Sequence, residues 1–140
     1  MNRNVWAVIA ATIAVAVVVV LGFRALGSPA AQRMVQADLR AVRTLAELAQ
    51  EINQKWNGLG KVLPPSLEGF PDSKKHDPTT HKAFSFRPKS GSVYDLCATF
   101  ATDSRDLEPQ NTNASWAHPR GDYCFQLDAS QPVPQAPYYY

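Results

Sequence analysis

The chain is poor in the residues on which most protein chemistry depends. Its 140 residues hold two cysteines, three histidines and two methionines. Cys97 and Cys124 lie too far apart for a CxxC redox motif. No glycine-rich phosphate loop, nucleophile elbow or zinc-protease helix motif is present. No pair of carboxylates falls in an apolar pocket that the pattern implies, so general acid–base catalysis has no candidates. The expectation is a protein that is not an enzyme and holds no cofactor. Charge of one sign is also lacking. Fourteen basic and twelve acidic side chains give a net charge of +2, which argues for no particular partner and does not point to nucleic acid. The charges are unevenly spread, with a basic excess over 61–89 and an acidic one over 95–128, as a solvated surface of both signs would have.

The histidines and acids that remain form weak candidates. His76 and His81 stand five apart in a polar stretch beside Asp72 and Asp77, without the rigid spacing a transition metal needs. His118 lies between Trp116 and Gly121 in a turn shaped by Pro119, and Trp116 is expected to cap the edge of the core. Asp103, Asp106 and Glu108, with Asp122 later, make an oxygen-rich loop and are weak calcium candidates, although the spacing is not that of an EF-hand. A solvated acidic loop is the plainer reading, so no metal is expected. Asn113-Ala114-Ser115 has the form of a glycosylation sequon, which matters only in a eukaryotic secretory pathway.

What the chain does have is one long apolar run. Val5 to Phe23 contains no charge and a single hydroxyl, Thr12. As a helix, a run of that length spans about 28 Å, close to the hydrocarbon thickness of a bilayer. In lipid the backbone must satisfy its own hydrogen bonds, which favours a helix despite the many valines. Trp6 near one interface, with Arg3 and Arg24 bracketing the run, suits an anchor. A cleavable signal peptide is the rival, with small residues over Ala25–Gly27 and Ser28–Ala30. Signal h-regions are shorter, however, and Arg24 stands badly for cleavage.

Orientation carries a conflict. Arg24, Arg33, Arg40 and Arg43 after the run favour a cytoplasmic C-terminal domain by the positive-inside rule. The short N-terminal tail and the two cysteines favour an outside domain, because disulfides persist in oxidising compartments. The reading adopted is a single-pass inner-membrane protein with a periplasmic domain. Residues 5–23 lie in the bilayer, and the partner is an unidentified envelope protein.

Beyond the anchor, Ser28 suits an N-cap and Pro29 the first helical position. A helix is predicted from Pro29 to Trp56 with Val35, Leu39, Val42, Leu45, Ala49, Ile52 and Trp56 on one stripe. It should end at Asn57-Gly58, with Gly58 as the left-handed cap. Leu63 to Leu67 is extended and proline-stiffened, and Glu68 to His81 reads as a surface loop. Alternation predicts strands over Ala83–Arg87, Val93–Phe100 and Asp122–Asp128, the first two joined by a turn at Lys89–Ser92. Phe84 and Phe86 share one face, as do Tyr94, Leu96, Ala98 and Phe100, and as do Tyr123, Phe125 and Leu127. Cys97 and Cys124 fall on the opposite face, placed for a cross-strand disulfide.

The resulting fold class is α+β: an N-terminal transmembrane helix, then an amphipathic helix packed on a small three- or four-stranded antiparallel sheet. The core should hold Val35, Leu39, Val42, Leu45, Ile52, Phe84, Phe86, Leu96, Phe100, Phe125 and Leu127. The domains are 1–27 (tail and anchor), 28–129 (extracytoplasmic domain) and 130–140, a proline- and tyrosine-rich tail expected to be disordered.

The order of a membrane helix, an amphipathic helix, Leu63–Leu67, Asp77-Pro78-Thr79 and the strand beginning Tyr94-Asp95-Leu96-Cys97-Ala98 resembles the major pseudopilins of bacterial type II secretion. The segments from Gly27, from Leu63, around Asp77–Thr80, from Tyr94 to Asp106 and from Trp116 to Phe125 also resemble a group of uncharacterised bacterial membrane-anchored proteins. The resemblance implies a bacterial source, a cell-envelope location and a helix-plus-sheet domain. It brings no catalytic residues.

Overall fold

A computed structural model describes residues 3–25, 28–106 and 114–137. The chain is α+β and falls into two compact units, residues 1–33 and 34–140. The first unit holds helix α1, Arg3–Ala25, and the start of helix α2, Pro29–Gly58. Helix α1 is long and apolar enough to cross a membrane, and its side chains are exposed, Val18 at 69% and Phe23 at 71%. In water such a surface would be unstable, since each large side chain left out forfeits about 1.5–3 kcal/mol of burial. Thr12 keeps its hydroxyl inside the helix by donating to the Val8 carbonyl. Ser28 caps α2 as expected: its Oγ accepts from the Ala31 N–H at 3.1 Å.

The second unit continues α2 and adds a single-turn helix α3, Asp72–Lys75, and three strands. These are β1, Ser85–Pro88, β2, Val93–Phe100, and β3, Gly121–Asp128, in sheet order β1-β2-β3 and antiparallel throughout. The hairpin turn closes with Lys89 N–H donating to the Val93 carbonyl, and Gly91 takes the left-handed conformation the turn requires. Strand β1 lies two residues later than the alternation suggests. Ala83 instead makes an isolated bridge to His76, tying the loop after α3 to the sheet edge.

One hydrophobic cluster organises this unit. It draws Ala41, Val42, Leu45, Leu48, Ala49, Ile52 and Trp56 from α2, and Tyr94, Leu96, Phe100 and Phe125 from the sheet. Phe84, Phe86 and Leu127 also belong to it, the last two half-buried. Of the expected core residues, Val35 is half-buried and outside the cluster, and Leu39 is buried but also outside it. The stripe that Val35 begins becomes fully buried only from Leu39 onward.

The end of α2 corrects the expected cap. Gly58 is the last helical residue, and the left-handed positions are Gly60 and Lys61. The Lys61 N–H donates to the Trp56 carbonyl, the six-to-one bond of a Schellman motif, so Gly60 is the residue that must lack a Cβ. The Lys61 ammonium lies 4.9 Å from the Trp56 ring centroid, a cation–π contact in the place where that motif usually has an apolar pair.

The stretch over Glu68–His81 is more structured than a plain loop. Phe70 is buried in the core, and the Lys55 ammonium lies 4.0 Å over its ring while donating to the Gly69 carbonyl. Asp77 is buried, and its Oδ1 accepts from the N–H groups of Thr79 and Thr80, which holds the following turn. These are local side-chain-to-backbone bonds that period counting does not register.

Tyr94 is the polar seam of the core. Its ring is fully buried, and its hydroxyl donates to Asn53 Oδ1 at 3.1 Å and approaches the Ala49 carbonyl at 3.4 Å. Burial pushes its ionisation well above the ordinary value of 10.0. Tyr94→Phe keeps the packing and removes the donor. It should cost about 1 kcal/mol in urea unfolding with an unchanged slope.

Candidate functional site

Cys97 and Cys124 are opposed residues in the β2–β3 register, and their sulphurs lie 2.08 Å apart as a disulfide. Neither belongs to the core cluster, so the cysteines take the face opposite Tyr94, Leu96 and Phe100, and Cys124 is exposed. Next to them, Thr99 donates to Asp122 at 2.5 Å across the same strand pair.

A polar node sits where β2 runs into the following loop. Asp38 is buried on α2, and its carboxylate accepts three bonds: from the N–H groups of Ala101 and Thr102 and from the Thr102 hydroxyl, at 2.6–2.9 Å. Ser104, also buried, donates its hydroxyl to the His118 carbonyl and accepts from the His118 N–H. The His118 ring is 1% exposed and stacks on Phe100 at 3.7 Å between centroids. The node joins helix, strand and loop with every bond internally matched. It offers no nucleophile–base pair, because the Ser104 hydroxyl is spent on backbone partners and not on an imidazole nitrogen.

Burial pushes the His118 imidazole below its ordinary 6.5, opposed by a bond to the Pro119 carbonyl and by Asp38 and Asp103. The fold therefore holds fewer protons on this ring than the unfolded chain does. Stability from His118 is complete above pH 6.5 and is lost as pH falls through that value towards the lower folded one. Carboxylates held low, such as Asp103 and Asp128, act only below their ordinary 3.8. A midpoint that drops as pH falls below ~6.5 in wild type, and drops less in His118→Gln, is expected from thermal scans.

Of the calcium candidates only Asp103 and Asp122 have described side chains, and each is engaged by another partner. Arg105 takes Asp103 through its backbone N–H, its Nε and a terminal nitrogen. The side-chain hydrogen bond from Arg105 holds the Asp103 carboxyl down to about 2. Asp122 is across the sheet with Thr99, the Asp106 side chain is outside the described residues, and Glu108 and Asn113 lie wholly outside them. Among the described residues no group of three or more His, Cys, Asp or Glu side chains is placed to hold a metal. Half of the basic side chains over 61–89 pair with acids, Lys74 with Glu51, Lys75 with Asp72 and Lys89 with Asp95.

The clefts of the second unit follow its C-terminal segment. One of about 370 Å³ is lined by amides and small residues, including Gln50, Asn53, Gln54, Asn57 and Gln131. Another of about 430 Å³ is lined by Arg43, Ala46, Glu47, Gln50, Gln135 and Ala136. Residues 130–136, expected from the sequence to be disordered, are held. Asp128 accepts from the Ser130 N–H and hydroxyl to form a turn, Asn53 Nδ2 donates to the Gln131 carbonyl at 2.9 Å, and the Trp116 indole N–H donates to the Pro134 carbonyl at 2.9 Å. Val133 and Ala136 pack against the core. Trp116 is thus more than an edge cap, being 2% exposed and in edge contact with Phe125. Aperiodic composition hid this segment, because its anchoring rests on two donors distant in sequence.

Comparison of the chain with protein-family models, with curated proteins and with solved structures finds no match.

Proposed function

We propose that this is a single-pass membrane protein of the cell envelope whose C-terminal domain lies outside the cytoplasm, is not an enzyme, and works through contacts with another envelope protein. The observation that carries the reading is the pairing of one bare apolar helix near the N-terminus with a small domain whose only two cysteines are bonded. The first needs a bilayer and the second an oxidising compartment. Within the domain, helix α2 lies on the sheet through its Leu45, Leu48 and Ile52 side, with Tyr94 bonded to Asn53 supporting that contact. The Ser104 hydroxyl is taken up by backbone partners, and the contact role rests on the anchored, disulfide-closed domain.

A second reading, a pseudopilin-like subunit of a secretion or pilus machine, draws on the same order of apolar helix, amphipathic helix and small antiparallel sheet. It requires cleavage before the apolar run. The Gly-Phe type motif at which such proteins are cleaved is absent there, and Gly22-Phe23 stands instead at the end of the run, which favours the first reading.

Fractionation of cells expressing the tagged chain, followed by protease treatment of spheroplasts, tests the proposal. The protein should stay with carbonate-washed membranes, retain Met1 and lose its C-terminal domain to external protease. Release by carbonate, or protection until the membrane is lysed, would overturn it. A processed N-terminus with incorporation into filaments would favour the second reading.

A further inference from the structure

We infer that the face formed by Asn53 and Trp116 is a receptor site for a proline-rich strand in the polyproline II conformation, filled at rest by this chain's own residues 131–137, and that a proline-rich, largely uncharged segment of the partner binds by exchanging with them. The inference gives the partner of the proposed contact role its chemistry, and it rests on that role.

The segment is restrained to this conformation by its own sequence. Pro132, Pro134 and Pro137 have φ fixed near −65°, and Gln131, Val133 and Ala136, each preceding a proline, are kept out of the helical region. Only Gln135 escapes both restraints. A polyproline II strand makes no internal hydrogen bonds and turns once in three residues, so its carbonyls at i and i+3 project to the same side. Side-chain donors reach the carbonyls of Gln131 and Pro134, three apart. The donors are an amide from α2 and a buried indole, and aromatic-lined grooves are where proline-rich strands dock. The apolar surface is present as well, since Val133 and Ala136, again three apart, meet the core.

Three further features suit a removable occupant. The segment adds no strand to the sheet. It is half exposed along its length, with Gln131, Pro132 and Gln135 outward. It is flanked by open clefts, one of them lined by the neutral amides of Gln50, Asn53, Gln54 and Asn57. Tethering gives the resident segment an effective concentration of roughly millimolar, so a free competitor must bind well or arrive held at the same membrane.

The test uses the full chain in detergent micelles. Val133→Asp with Ala136→Asp places two carboxylates where small apolar side chains meet the core, and expels the segment. A fluorescent peptide copying residues 131–140 is titrated against wild type and variant by anisotropy. Saturable binding to the variant, at least tenfold tighter than to wild type, is expected. Adding Trp116→Phe, which keeps a ring and removes the indole donor, should weaken it about tenfold, and a peptide with its prolines replaced by alanine should bind more weakly still. A variant that keeps its circular dichroism spectrum but binds no peptide overturns the inference, as does equal binding to both proteins. Unfolding of the variant also overturns it, because the segment is then a fixed part of the core. Membrane location is read separately, so failed peptide binding leaves the anchor reading standing, and an unanchored protein that binds the peptide does the reverse.

Discussion

Asp38→Ala should lower the stability of the domain by about 3 kcal/mol, near the top of the range for a single polar substitution. The carboxylate accepts three hydrogen bonds, two of them from the backbone N–H groups of Ala101 and Thr102, and the residue is 5% exposed. Bonds to a charged group contribute about 1.5–3 kcal/mol each, and deleting the acceptor leaves two backbone donors facing a gap. For a domain of this size the loss corresponds to a melting point lower by roughly 12–20 °C, read by circular dichroism. Asp38→Asn keeps one oxygen but turns an amide N–H₂ towards N–H and O–H donors, so it should recover less than half of the loss. A loss under 0.5 kcal/mol in Asp38→Ala would mean that the loop after β2 is held by Ser104 and His118 alone.

Asp38 also shows where sequence reading stops. The alternation of Tyr94, Leu96 and Phe100 made β2 legible to the residue, since a half-buried strand writes its two faces into the chain with period two. The same parity put Cys97 and Cys124 on the other face, where they are. Helix α2 was legible from its stripe and from Ser28, whose capping oxygen acts on a donor three residues away. An acid at position 38 among arginines reads as one more surface charge, because its partners are 63 and 64 residues distant. Phe70 and the 131–136 segment escape pattern reading, and Trp116 reads only as an edge cap, for the same reason: each is placed by a contact with a remote element, and none lies in a periodic run. Gly58 and Gly60 differ in another way. Both are glycines near a helix end, and which one becomes the left-handed cap depends on where the six-to-one bond closes. Composition does not say.

The largest effect is expected from the disulfide. Cys97 and Cys124 are separated by 27 residues, and in the chain-entropy model a closed loop of that size stabilises by about 3–4 kcal/mol. The loop contains the end of β2, the single-turn 3-10 helices Ser104–Asp106 and Ala114–Trp116, and the start of β3, so reduction frees the part of the chain that Asp38 and Ser104 otherwise hold. Cys97 is buried and Cys124 exposed, but neither belongs to the core cluster, so the loss on replacing them with alanine should come mainly from the unfolded state. Cys97→Ala with Cys124→Ala should therefore lower the melting point by roughly 12–25 °C, while the folded spectrum stays unchanged. Either single substitution should be at least as harmful, since it leaves one free thiol on the sheet. The same bond bears on compartment. Thiol labelling of protein taken from cells without reductant, before and after denaturation, should find no reactive cysteine in either state. Two thiols that label on denaturation would mean that the domain sits in a reducing compartment, with the basic residues after α1 facing the cytoplasm as their charge alone would suggest.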